Sequence, residues 1–193
     1  MWAVVRADLM ANVFKPPGAG AAYWVKVLGK LLITPQVQVV VLFRIASALA
    51  HTPLRPLAFV IRAFSVTLGG TEIHPDARIG PGLALVHSTG VVIGGGVVIG
   101  SNCRISQGVT LGEMGRGVAH AERDGSPTVG DWVTIGTNAV VLGPCHLGDR
   151  CIIGANSVVT KDVGADLIAA GAPAKVIRER DPNASRSIPH PPS

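Results

Sequence analysis

Between Val129 and Val159 the chain places an aliphatic residue at every sixth position: Val129, Ile135, Val141, Leu147, Ile153 and Val159. Glycine follows directly at Gly130, Gly136, Gly148 and Gly154. A period of six is neither the 3.6 of an amphipathic helix nor the 2 of a half-buried strand. It belongs to a chain that makes one short strand and one bend per six residues, so that three units close a triangular coil of about 18 residues. In such a parallel β-helix the periodic side chain points inward and stacks on its equivalent one coil away. Full burial of each contributes about 1.5–3 kcal/mol. Glycine at a corner removes a Cβ that would be strained there. An ordinary sandwich with glycine-rich turns is the alternative.

The upstream chain repeats in the same way. Ile79-Gly80, Leu85, Ile93-Gly94, Ile99-Gly100, Ile105 and Leu111-Gly112 carry the pattern, with a two-residue slip after Leu85. Between Leu111 and Val129 the in-phase positions are Gly117 and Arg123, which cannot fill a core, so residues 113–126 are expected to form an extruded loop. About five coils should run from Ile73 to about Val163.

Residues 1–70 read as helical. Trp2, Val5, Leu9 and Val13 mark one apolar face, ended by Lys15-Pro16-Pro17-Gly18. Trp24, Val27, Leu28 and Leu31 mark a second, and Gln36–Ala50 and Leu57–Leu68 are further helices separated by Pro53 and Pro56. These helices are more apolar than lone surface helices, so they are expected to pack on neighbours or on a partner subunit. The predicted organisation is mainly β: a parallel β-helix over 71–168, an N-terminal α-helical region over 1–70, and a short C-terminal segment over 169–180. Pro173 blocks early helix formation in that last segment. The proline-rich residues 181–193 have no periodicity and are expected to be mobile.

Composition narrows the function. Net charge is +5 with only 15% charged residues and no basic run, which gives nucleic-acid binding no support. Cys103, Cys145 and Cys151 lie inside the repeats and read as small buried thiols in a reducing compartment. Metal-ligand spacing is absent. Met1-Trp2 does not open a signal peptide. Pro81–Cys103 is uncharged, but its glycines and hexad phase argue against a membrane span, and Leu31–Phe43 is too short for one. A cytoplasmic protein is expected, with an N-terminal third able to lie against a membrane surface.

Two segments carry a family resemblance. IGANSVVTKDV (153–163) followed by AAGAPAKVIRER (169–180) resembles the end of the coil in hexapeptide-repeat acyltransferases. TEIHPDARIGPGLALVHSTGVVIG (71–94) resembles the corresponding segment of serine acetyltransferases and of colanic-acid-type polysaccharide acetyltransferases. The resemblance covers roughly Leu42 to Arg178. It implies a left-handed coil, a homotrimer, acetyl-CoA as donor and a hydroxyl acceptor.

Residue by residue, it places catalysis on His87. Val86-His87-Ser88-Thr89-Gly90 stands where the family has D-H-A-T-G, beside the two-residue slip. Acyl transfer from a thioester to a hydroxyl needs a base to take the proton, and a neutral imidazole suits that task. Thr160, Lys161, Lys175 and Arg178 match residues that line the CoA groove, where phosphates call for cations and free N–H groups. Gly136 and Ala155 are small enough for the pantetheine arm to lie against backbone. Ser88, Thr89, Asp124 and Ser126 are candidate acceptor contacts. Glu113, Glu122, Asp124 or a backbone carbonyl could orient His87, and His120 in the loop could reach a neighbour's site.

The sequence also departs from the serine enzymes. Val86 replaces the acid before the histidine. The loop motif D-R-H-P reads Asp124-Gly125-Ser126-Pro127, and the acid-proline of the helical part reads, on a looser alignment, Lys15-Pro16. Those positions hold the charged groups of serine, so a sugar or polysaccharide-precursor hydroxyl is the expected acceptor, and serine the alternative. A non-catalytic β-helix is opposed by the retained His87 and CoA segment. A γ-type carbonic anhydrase is opposed by the histidine spacing. A nucleotidyltransferase has no room for its nucleotide domain.

Overall fold

Each inward position of the six-residue register lands on a strand of two or three residues. The structure is a computed structural model that describes residues 1–13, 21–115 and 125–181. Four helices come first: α1 (Trp2–Asn12), α2 (Ala21–Ile33), α3 (Pro35–Ala50) and α4 (Arg55–Gly69). Proline opens α3 and lies in the first turn of α4, where its missing N–H costs no hydrogen bond. Gly70, at φ 62°, ends α4 in the left-handed conformation and turns the chain into the coil.

The first coil is β1 (Glu72–Ile73), β2 (Arg78–Ile79) and β3 (Ala84–Leu85); the second is β4 (Val92–Ile93), β5 (Val98–Ile99) and β6 (Arg104–Ile105). The third is β7 (Thr110–Gly112), β8 (Thr128–Val129) and β9 (Thr134–Ile135). The fourth is β10 (Val140–Leu142), β11 (His146–Leu147) and β12 (Ile152–Ile153). The fifth is β13 (Val158–Val159), a bridge at Val163, and β14 (Leu167–Ala170). Stacking gives three parallel faces: β1-β4-β7-β10-β13, then β2-β5-β8-β11, then β3-β6-β9-β12-β14.

Pairing offsets show where the regular coil is interrupted. Val140 pairs with Val158, a step of three hexads, which is the undisturbed repeat. Glu72 pairs with Val92, a longer step, because the slip adds two residues to the three hexads. Thr110 pairs with Val140, a longer step still, because the extruded loop adds two further hexads. The inward column, from Ile73 through Ile105, Leu111 and Ile135 to Ile153, is buried as one cluster.

At the other end the chain differs from its sequence reading. Ile152 pairs with Ile168, so the corner is two residues short of three hexads and the phase is lost. β14 nevertheless stays in the stack as far as Ala170, two residues past the expected end at 168. The chain then reverses, and β15 (Lys175–Glu179) pairs antiparallel with β14.

The helices cap the open start of the coil. Val39, Val40 and Phe43 of α3 join the coil's apolar cluster. Asp8 of α1 accepts hydrogen bonds from the Gly82 and Leu83 N–H groups at 2.8 and 2.9 Å. Asn12 donates to the Leu83 carbonyl and accepts from the Leu85 N–H. Helix α1 therefore satisfies the free edge of β3, which would otherwise be open to strand addition. Among the described residues, no helix is long and apolar enough to cross a membrane. The tail beyond Asp181, including His190, lies outside the described residues.

Candidate functional site

The two-residue slip creates a corner unlike the others, and His87 sits in it. The corner lies between β3 and β4, and the His87 ring is exposed, with no hydrogen-bond partner among the described residues of one chain. The backbone that carries it is fastened on both sides. The Thr71 hydroxyl donates to the Ser88 carbonyl at 2.6 Å, and the Gly90 N–H donates to the Gly70 carbonyl at 2.8 Å. On the coil side, the Gly108 N–H donates to the Thr89 carbonyl at 3.0 Å. These bonds fix the backbone position from which His87 projects, while among the described residues no hydrogen bond orients its ring.

Of the neighbouring candidates, Thr89 is exposed and free to meet an acceptor. Ser88 is buried, 5% exposed, beneath the end of α4. Its surroundings make it a support for the turn, against its sequence reading as an acceptor contact.

Below His87, the same edge of the prism continues as a column. The Asn138 N–H donates to the Gln107 carbonyl and the Asn156 N–H to the Thr137 carbonyl, which stacks the corners that hold Gly136 and Ala155. Ala155 is exposed on this edge. At Gly136 an added Cβ would stand 2.7 Å from the Ala155 nitrogen, so stacking of its own coil demands glycine there. Its small size has that cause whether or not a ligand lies nearby. The turn Gly171–Ala174 closes the foot of the column, where the Val158 N–H donates to the Gly171 carbonyl, and exposed Lys175 follows. Exposed Arg178 lies further along β15, opposite Ile168.

The remaining candidates occupy a different edge, between β7 and β8 and their equivalents. Ser126 donates a 3.3 Å hydrogen bond to Glu113 at the base of the extruded loop. Two corners further down, half-buried Thr160 and exposed Lys161 precede Asp162, whose carboxylate accepts the His146 N–H at 2.8 Å. One whole face separates this edge from His87, and about five extended residues span roughly 16 Å. Within one chain, therefore, Lys161 and Lys175 are not one constellation, and Glu113 is not the partner of His87. Asp124, His120 and Glu122 lie outside the described residues.

Burial pushes the thiols of Cys103 and Cys145 up to about 11 and that of Cys151 up to about 12. Such thiols stay protonated, which suits small core residues and not nucleophiles. Among the described residues, no group of His, Cys, Asp and Glu could hold a metal ion. A cleft of about 380 Å³ lined by Arg44, His51, Asp76 and Arg78 lies between α3 and the second face and contains none of the candidate residues.

Residues 126–161 match the family model described as bacterial transferase hexapeptide (six repeats). The chain is 38% identical over 183 residues to the serine acetyltransferase of Mycobacterium tuberculosis, which covers 95% of this chain and 76% of that protein. Among solved structures it is similar to a Brucella abortus serine acetyltransferase in complex with coenzyme A, with TM-score 0.78 and 33% identity, covering 93% of this chain and 69% of that one. It is similar also to a Neisseria gonorrhoeae serine acetyltransferase in complex with serine, with TM-score 0.77 and 35% identity, covering 92% and 69%. The fold is the left-handed parallel β-helix with an N-terminal helical region. The likeness spans helices and coil alike, and the chain belongs to the serine acetyltransferase family of hexapeptide-repeat acyltransferases.

Proposed function

We propose that this chain transfers an acetyl group from acetyl-CoA to the hydroxyl of serine, with His87 as general base. The carrying observation is the extent of the likeness. A shared hexad alone would align the coil and indicate only a fold, whereas 183 residues align here, the capping helices included. In the reaction the acceptor oxygen attacks the thioester carbonyl carbon while His87 takes the hydroxyl proton. The tetrahedral adduct then expels the CoA thiolate, which recovers that proton. The products are the acetyl ester and CoA thiol.

The site is read as lying between copies in a homotrimer. His87, Thr89, Ala155 and Lys175 sit on one edge of the prism, and Ser126, Thr160 and Lys161 on another. Apposing these edges from two copies joins the base, the small residues and the cations in one groove. The phosphates of CoA would meet Lys161, Lys175 and Arg178 there.

A carbohydrate hydroxyl is the second reading, and a specific observation favours it. A zwitterion in a groove needs a carboxylate for its ammonium and a cation for its carboxylate. Half-buried Val86, Gly125 and Ser126 stand where the resemblance expects charged groups. A thiol-release assay separates the two. Saturable acetylation of L-serine at sub-millimolar concentration is expected; turnover confined to free, nucleotide-linked or lipid-linked sugars would replace serine by the second reading.

A further inference from the structure

Two of the capping helices combine exposed apolar side chains with cations that no acid balances. On α1, Trp2, Arg6 and Met10 follow one another at four-residue intervals, so they share one face, and all three are exposed. Trp2 is 68% exposed. On α2, Val25, Leu32 and Ile33 are 71%, 70% and 79% exposed, and Lys30 is exposed beside them. The charged residues of these two helices are Arg6, Asp8, Lys26 and Lys30. Asp8, the one acid, is buried and paired with Arg44, so it presents no negative charge to solvent.

The same asymmetry runs through the whole chain. Residues 1–70 hold seven Lys and Arg against Asp8 alone, a net charge of +6. The remaining residues hold ten against eleven, a net charge of −1. Arg55 and Arg62 of α4 are engaged by Asp76 and Glu72 of the coil. Arg6 and Lys30 have no salt-bridge partner among the described residues.

We propose that α1 and α2 form a docking surface for an anionic lipid bilayer. Trp2, Met10, Val25, Leu32 and Ile33 enter the boundary between headgroups and acyl chains, and Arg6 and Lys30 meet lipid phosphates. Helix α2, with exposed apolar side chains beside Lys30, can lie in that plane with those side chains inserted, and the Trp2 ring of α1 suits the interface because one end is apolar and the other can hydrogen-bond. Spanning is ruled out by length: α2 has 13 residues, and a crossing needs about 20. Charge favours lipid over a second copy of the same surface. Self-association would bring Arg6 and Lys30 against their own equivalents with no exposed acid between them. None of the exposed residues invoked here is a candidate site residue.

The test is co-sedimentation of the full chain with phosphatidylcholine vesicles, with and without added phosphatidylglycerol. Binding is expected only with the anionic lipid, and raised salt should weaken it. A Trp2→Ser/Leu32→Ser/Ile33→Ser variant should lose at least about tenfold in partition coefficient. Arg6→Gln/Lys30→Gln should lose about fivefold per cation. All five side chains are exposed, so circular dichroism should remain native. Failure of the wild-type chain to sediment with anionic vesicles overturns the proposal, as does equal sedimentation of the folded variants. If sedimentation velocity without lipid shows the triple variant losing assembly mass while no vesicle binds the wild type, a second copy covers the surface instead.

Discussion

Asp8 of α1 and Arg44 of α3 form a two-pronged ion pair at 2.7 and 3.1 Å, with side chains 1% and 10% exposed. Arg44 also donates to the carbonyls of Ile79 and Gly80. Asp8 uses its other lone pairs on Gly82 and Leu83. The pair therefore clamps two helices to the first coil. Removing one partner leaves a buried charge without its counter-ion, so Asp8→Asn is expected to cost about 3–5 kcal/mol. In a chain of this size that lowers Tm by about 2–4 °C per kcal/mol in a thermal melt. Asp76→Asn breaks the more exposed pair with Arg55 and should cost at most about 1 kcal/mol. Equal losses in the two variants would show that the clamp is not what holds the cap.

Replacing His87 by Ala removes an exposed ring with no hydrogen-bond partner in the described chain, so Tm should hold. Loss of a positioned base lowers kcat by about 10²–10⁴-fold. Steady-state kinetics on a variant with native circular dichroism checks both. Near-normal turnover would take His87 out of the chemistry.

Lys161→Ala and Lys175→Ala should raise KM for acetyl-CoA more than they lower kcat, because phosphate contacts lie far from the reacting carbon. Comparing CoA with dephospho-CoA as inhibitors of wild type and variants identifies which cation meets the 3′-phosphate. The same affinity loss on dephosphorylation in all three proteins would show that neither lysine does.

Glycines that look alike in the repeat differ in the fold. At Gly136 a Cβ would press on the Ala155 nitrogen at 2.7 Å and the Ile153 carbonyl at 2.9 Å, and coil backbone cannot step aside cheaply. Gly136→Ala should cost about 1–3 kcal/mol. At Gly112 nothing lies within 4 Å, and Gly112→Ala should be close to neutral. Urea unfolding midpoints of the two variants give the comparison.

The three buried thiols tie stability to alkaline pH. Their titration is raised from 9.0 to about 11 for Cys103 and Cys145 and about 12 for Cys151, so the folded chain keeps protons that the unfolded chain releases earlier. The stabilisation is complete below the unfolded value near 9.0 and is lost as pH rises through the folded values. Melts across that range should show Tm falling. At pH about 8, iodoacetamide should label none of the three thiols in the native protein and all three in denaturant.

The coil is written in local periodicity, which is why so much of it is legible in the sequence. The phase of Ile79, Leu85, Ile93 and their successors names the inward side chains, and its two breaks mark the His87 corner and the extruded loop. Those breaks return in the structure as the lengthened steps from Glu72 to Val92 and from Thr110 to Val140. The break before β14 misleads because a short corner shifts phase without moving the strand out of the stack. What tertiary structure alone decided are contacts with no period. Asp8 of the first helix reaches the Leu83 N–H, Gly136 is small because the next coil passes behind it, and Ser88 turns inward beneath α4. A repeating pattern states which way each side chain faces along one coil. It holds no term for helices folded back over the coil's open edge, and those contacts fix where the chain begins to stack.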